Sequence, residues 1–241
     1  QGDWGYSTVS KEPVAKVLGT RLGLTAFLMM WVMLVMVPAA LILGVLAGMN
    51  EGSRTDRALS TVAITSTATP EYVSGVLMIA IFTSGAVGLK WFNGSAATAM
   101  KDANFYNFTL PVITIALYGI GYIARMTRAS MAEVMTTQYI RTARLKGVSF
   151  PNIVMKHALR NALIAPFTVI MLQFPWLLNG VVIVETLFNY KGMGWELVRA
   201  AENNDIEMLL SLSVVSVFVV LFTQLISDIG YVYLNPRISV S

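Results

Sequence analysis

The chain has 241 residues, 56% of them hydrophobic and only 12% charged, with a formal net charge of +4 and no cysteine. A soluble domain carries about 25% charged residues, so much of this surface faces something other than water. The small positive charge calls for no nucleic-acid partner, and the missing thiols exclude disulfides and thiolate metal sites.

A helix needs about 20 apolar residues to cross the hydrocarbon core of a bilayer. Charge-free runs extend over Leu22 to Asn50, Tyr72 to Leu89, Ala103 to Ala124, Asn161 to Val184 and Met208 to Ser227. They predict five transmembrane helices, near 22–48, 70–89, 106–124, 162–184 and 208–232. Hydrocarbon offers no partner for backbone N–H and C=O groups, so the spans must be helices and the fold class all-α: a polytopic membrane bundle forming a single domain over 1–241. Pro175 and Gly180 predict a bend in the fourth span.

Lys and Arg counts orient the spans. Residues 51–59, 125–160 and the C-terminus hold ten basic residues against three acidic ones. The N-terminal stretch, 90–102 and 185–207 hold seven against eight. The first group is therefore expected in the cytoplasm, with the C-terminus. Trp4, Trp91, Phe92, Trp195, Tyr231 and Tyr233 fall near span ends, as an interfacial belt should.

Residues 125–160 form a long cytoplasmic loop, RMTRASMAEVMTTQYIRTARLKGVSFPNIVMKHALR, too long for a turn. Met126 to Lys146 is rich in helix formers, Gly147 is placed as a helix terminator, and Ser149 with Pro151 starts a second short helix. Phe150, Ile153, Val154 and His157 offer a small apolar face among cations. Such an elbow suits anionic lipid or a cytoplasmic partner. Physical chemistry alone leaves both open. Downstream, 185–207 is also too long for a turn and carries a helix-like run from Trp195 to Asn203, a candidate hairpin at the outer mouth.

The run YIRTARLKGVSFPNIVMKHALRNALIAP resembles the cytoplasmic loop of permease subunits of binding-protein-dependent ABC importers, in particular the dipeptide, oligopeptide and nickel group. GDWGYS at the start, GSRTDR at 52–57, ETLFNYKGMGWELVRAAENNDIEM and the ending YVYLNPRI match that group in order. Thr142, Ala143 and Arg144 stand where the wider superfamily has Glu-Ala-Ala. Pro166 falls one place late, and Lys191 replaces a frequent proline. Family members carry one further N-terminal span, so a sixth helix is expected.

The resemblance implies a bacterial or archaeal cytoplasmic-membrane importer for a small solute, most simply di- or oligopeptides. It would contain a second homologous permease subunit, two cytoplasmic ATPase subunits that bind ATP and Mg, and an extracytoplasmic solute-binding protein, all in contact with membrane lipid. No Gly-x-x-x-x-Gly-Lys-Ser/Thr phosphate loop occurs in this chain, so no cofactor is expected on it and hydrolysis belongs to another subunit. The resemblance assigns ATPase coupling to Arg141, Thr142, Ala143, Arg144, Gly147, Phe150, Ile153, His157 and Arg160. Thr168, Gln173, Asn179 and Glu185 are candidates for the translocation path, because polar groups in spans either line a path or bridge helices. Glu71 and Asp228 are the other ionisable residues near span ends. The rival readings are an ion-gradient-driven transporter, which often shows an internal repeat that this chain lacks, and an anchoring subunit, which needs no structured elbow.

Overall fold

A computed structural model describes residues 4–85 and 89–234. Every regular element among them is helical, apart from one isolated bridge between Tyr6 and Pro13. The long helices are α1 (Val14–Met49), α4 (Phe105–Met135), α8 (Ile164–Leu187) and α10 (Ile206–Leu234). Between them lie α2 (Arg54–Ala68), α3 (Glu71–Thr83), α5 (Gln138–Leu145), α6 (Phe150–Asn152), α7 (Leu159–Ala162) and α9 (Met193–Glu202).

The all-α expectation holds. Among the described residues three helices are long and apolar enough to cross a membrane, within Val14–Met49, Phe105–Met135 and Ile206–Gly230. Phe150–Ala162 with Ile164–Leu177 makes a fourth if this pair, bent by 51°, is one span. The expected second span is helical over Glu71–Thr83. Pro70 separates α2 from α3, and α3 has 13 residues, about 20 Å of helix against a hydrocarbon core of about 30 Å. Residues 86–88 of that expected span and the 235–238 motif lie outside the described residues. A bend of 51° falls at Leu163, and Pro175 sits inside α8.

The chain divides into two compact units. The first comprises Gln1–Leu34, Pro70–Ala116 and Pro175–Gln224. Its core joins Val14, Val17 and Leu18 of α1 to Met193 and Ala200 of α9 and to Met208 and Leu212 of α10. The second comprises Val35–Thr69, Leu117–Phe174 and Leu225–Ser241. There α1 and α4 pack through Gly44 and Gly48, one turn apart. A Cβ on Gly44 would lie 2.7 Å from the Ala124 carbonyl oxygen, and one on Gly48 2.6 Å from that of Arg128. This small-residue spacing lets membrane helices approach closely. On α10, Leu210, Val217, Phe218, Leu221, Phe222, Leu225 and Ile229 are exposed. In water such a surface promotes aggregation, whereas hydrocarbon solvates it.

Candidate functional site: the elbow and the 185–207 segment

The elbow is more finely divided than expected. Thr136 and Thr137 end α4: their hydroxyls donate to the carbonyls of Glu133 and Val134, at 2.7 and 2.6 Å. Threonine competes with the helix ladder in this way, so the single helix expected from Met126 to Lys146 is broken before α5. At the far end of α5, Gly147 has φ +76°. Its N–H donates to Arg144 O at 3.0 Å, and Val148 N–H donates to Ala143 O at 3.2 Å. These are the two bonds of a Schellman stop. The expected terminator role of Gly147 is thus seen in its geometry.

Ile140 and Ala143 point α5 inward against Met131, Ile153, Val154, Ala158 and Ala162, with Val45 and Met49 of α1 covering the cluster. Of the expected coupling residues, Arg141, Thr142, Arg144, Gly147, Phe150, His157 and Arg160 are exposed. Ala143 and Ile153 are buried and act as support. The apolar face expected from Phe150, Ile153, Val154 and His157 is therefore split. Exposed apolar side chains of the elbow include Leu145 (82% exposed), Met155 (67%), Phe150 and Tyr139. Leu145 and Met155 were missed. The signal for Leu145 was available: it lies on the face of α5 opposite the Ile140/Ala143 stripe.

Ile153–Ala158 is a π-helical turn leading through α7 to Leu163 and α8. Wide turns of this kind recur at functional sites. The Ser130 hydroxyl donates to Ala162 O at 2.9 Å, and Asn161 Nδ2 donates to the Tyr139 hydroxyl at 2.9 Å, so the return limb is tied to both α4 and α5. The base of α4 is fixed by Arg128, whose Nε and a terminal nitrogen meet the two oxygens of Asp56 at 3.0 and 2.8 Å.

In the 185–207 segment Glu185 is fully buried. One oxygen accepts from the Thr25 hydroxyl at 2.6 Å; the other accepts from the N–H groups of Gly194 and Trp195 at 2.8 and 3.1 Å. Those N–H groups open α9, where the helix dipole favours an anion. Thr25 Oγ1 in turn accepts from Met193 N–H at 2.8 Å. Glu185 therefore caps α9 from across the turn. Gly192 and Gly194 permit it: a Cβ on Gly192 would collide with Glu185, and one on Gly194 would lie 2.6 Å from Val182 Cα. Gln173 is buried, and Thr168 is half-buried with its hydroxyl donating to Ile164 O at 3.4 Å. Asn179 has its backbone in α8, but its side chain lies outside the described residues. Among the described residues no cluster of His, Cys, Asp and Glu is placed to hold a metal.

Long apolar helices joined by a structured cationic elbow define a polytopic membrane transport subunit. The model of the family described as binding-protein-dependent transport system inner membrane component matches residues 40–240, and the chain belongs to that family. It is 33% identical over 241 residues, 99% of this chain and 76% of the relative, to a probable peptide ABC transporter permease protein, y4tP, of Sinorhizobium fredii. It is 34% identical over 238 residues to the glutathione transport system permease protein GsiC of Escherichia coli K12, covering 99% of this chain and 75% of that protein. The crystal structure of an amino acid ABC transporter with histidines shares the fold, with a TM-score of 0.65 at 15% identity over 90% of this chain and 94% of that one. The gradient-driven and anchoring readings are set aside by this membership.

Proposed function

We propose that this chain forms half of the translocation path of an ATP-driven importer of short peptides, paired with a second permease subunit. Two ATPase subunits carrying ATP and Mg would bind its elbow, and a soluble binding protein would deliver solute to its other side. The support for the solute is the naming of relatives for peptide and for glutathione, itself a short peptide. The observation that carries the coupling role is the elbow. One face is anchored in the bundle, the other presents Leu145, Phe150 and Met155 among Arg141, Arg144, Lys146, Lys156 and Arg160, and the chain continues through the π turn into α8.

In this mechanism closure of the ATPase pair pushes the elbow, and the wide turn and the Leu163 break pass the movement to α8 as a rotation rather than a local unfolding. Thr168, Gln173 and Asn179 are assigned to the path along α8, with Glu185 shaping its outer end by holding α9. The elbow and C-terminus are cytoplasmic, and the whole chain is one permease domain.

Two measurements test this. Leu145→Asp with Met155→Asp should release the ATPase subunits on purification and abolish ATP-dependent uptake. Retained ATPase binding would refute the docking face, and uptake driven by a proton gradient without ATP would refute the energy source. Because the chain has no cysteine, Lys146→Cys and Lys101→Cys can each be labelled alone. An impermeant maleimide added outside intact cells should reach the second and not the first.

A further inference from the structure

The first unit holds a cationic pocket that the transport mechanism leaves unused. Arg21 and Lys191 stand 5.5 Å from the centre of the Trp195 ring, and Arg199 stands 5.4 Å from it. Two buried carboxylates accompany these three cations. Glu185 is occupied by the α9 N–H groups. Glu196 is shared, meeting Arg21 Nε at 2.9 Å and Arg199 at 3.4 Å. Lys191 has no ion-pair partner among the described residues, and its carbonyl accepts from Arg21 at 2.9 Å. Arg21 and Arg199 also line an open pocket of about 330 Å³ with Val9, Ser10, Val17 and Thr20. The acidic wall residue, Glu12, is paired with Lys16 at 2.8 Å.

A guanidinium has five N–H donors. Arg199 uses its own on long contacts, 3.5 Å to Ser10 and 3.4 Å to Glu196. The pocket thus offers an under-used planar donor fork with a second cation nearby, the geometry that a carboxylate accepts from. The Trp195 ring face attracts all three cations and holds them in place before any ligand arrives, which lowers the entropy lost on binding.

We propose that this pocket docks an acidic side chain of the soluble protein that delivers the solute. The proposal rests on the importer reading above. Its walls are the N-terminal stretch, the first turns of α1 and α9, the segments that the charge count places outside the membrane on the delivery side. The delivery side as a whole holds seven basic residues against eight acidic ones, so the three cations act at short range and set docking register rather than steering approach from a distance.

The test uses the complete complex in proteoliposomes of uncharged lipid, titrated with its binding protein while ATP hydrolysis is followed. Arg199→Glu with Lys191→Glu should raise the half-saturating binding-protein concentration by about tenfold or more, with the maximal stimulated rate retained. Added salt should weaken wild-type docking more than that of the variant. Lys90→Glu with Lys101→Glu, the same charge change at exposed sites away from the pocket, should leave the half-saturating concentration alone. Reversing one acidic residue of the binding protein to Lys should recover affinity with the charge-reversed pocket. An unchanged half-saturating concentration, or an effect seen only when anionic lipid is added, would overturn the proposal. Absence of any binding-protein stimulation in the wild type would instead count against the importer reading.

Discussion

Arg128 of α4 grips Asp56 at the start of α2 with two parallel hydrogen bonds, 3.0 and 2.8 Å long, and the Asp56 side chain is only 4% exposed. The Gly52 N–H and the Ser60 hydroxyl donate to the same carboxylate, and Glu51 lies 3.5 Å from the guanidinium. The Arg128 bond first, and the Gly52 and Ser60 bonds after it, hold the Asp56 carboxyl well below the usual range despite its burial. One charge cluster thus joins the α1–α2 turn to the base of α4, one turn from Met131 in the core beneath the elbow.

Removing one member of this pair should cost more than removing both. A fully buried pair loses about 3–5 kcal/mol when one partner is deleted. Arg128 is 32% exposed, so about 2 kcal/mol is expected for Arg128→Met, with part of it recovered in Arg128→Met with Asp56→Leu. Thermal unfolding of the detergent-solubilised complex measures this. Strict additivity of the two changes would show that the bonds do not act as a unit.

The α1–α4 contact predicts a second, purely steric sensitivity. Even one methyl group at Gly48 must displace the Arg128 carbonyl, 2.6 Å away, and backbone of a packed helix yields little. Gly48→Ala should destabilise by about 1–3 kcal/mol, read as a lower melting temperature and less protein in the membrane. Gly23→Ala on the same helix, where nothing lies within 4 Å of the added Cβ, should not destabilise and serves as the reference.

The apolar runs made α1, α4 and α10 legible, because length and hydropathy are additive along a chain and need no partner. The second span began where the sequence placed it, after Pro70, but the end of its helix at Thr83 was not legible because the apolar run continues to Leu89. The stop at Gly147 was readable from one residue that tolerates positive φ. The break at Thr137 was not, since threonine ends a helix only when its hydroxyl turns back on the preceding turn. Glu185 stood out as an ionisable residue at a span end, but its job depends on Gly194 and Trp195 bringing the first turn of α9 against it, a contact no spacing rule encodes. The Gly44/Gly48 pair carried the helix-packing spacing in plain view and was passed over among apolar neighbours.

One acid-sensitive contact should be the tie between Asp205 and the N-terminal stretch. Burial pushes the Asp205 carboxyl up, but bonds from the Ser7 hydroxyl and from the N–H groups of Val9, Met208 and Thr8 outweigh it and leave the group below its ordinary value. A lowered folded-state value means the charged form is the one stabilised by folding. The tie is therefore fully present above the ordinary carboxylate range and weakens as pH falls through the lowered value. Amide exchange at Ser7 to Ser10, corrected for intrinsic rates, should hold steady from about pH 8 to pH 5 and rise only below about pH 4. In Asp205→Asn it should be fast throughout, and a wild-type transition near neutral pH would contradict this assignment.

Gly147 separates backbone strain from backbone bonding. At φ +76° with nothing within 4 Å of an added Cβ, alanine meets open space and carries only the left-handed conformational cost, about 1 kcal/mol. Gly147→Ala should therefore keep ATP hydrolysis coupled to uptake, with a small loss of stability. Proline fixes φ near −65° and deletes the N–H that donates to Arg144 O, so the Schellman stop is lost and α5 no longer ends where its exposed face begins. Gly147→Pro should leave the protein in the membrane but reduce solute moved per ATP hydrolysed by about tenfold, the effect of shifting a closely positioned contact by about 1 Å being larger than that. If alanine and proline gave the same loss, the elbow would depend on the absence of a side chain at this position and not on the shape of its turn.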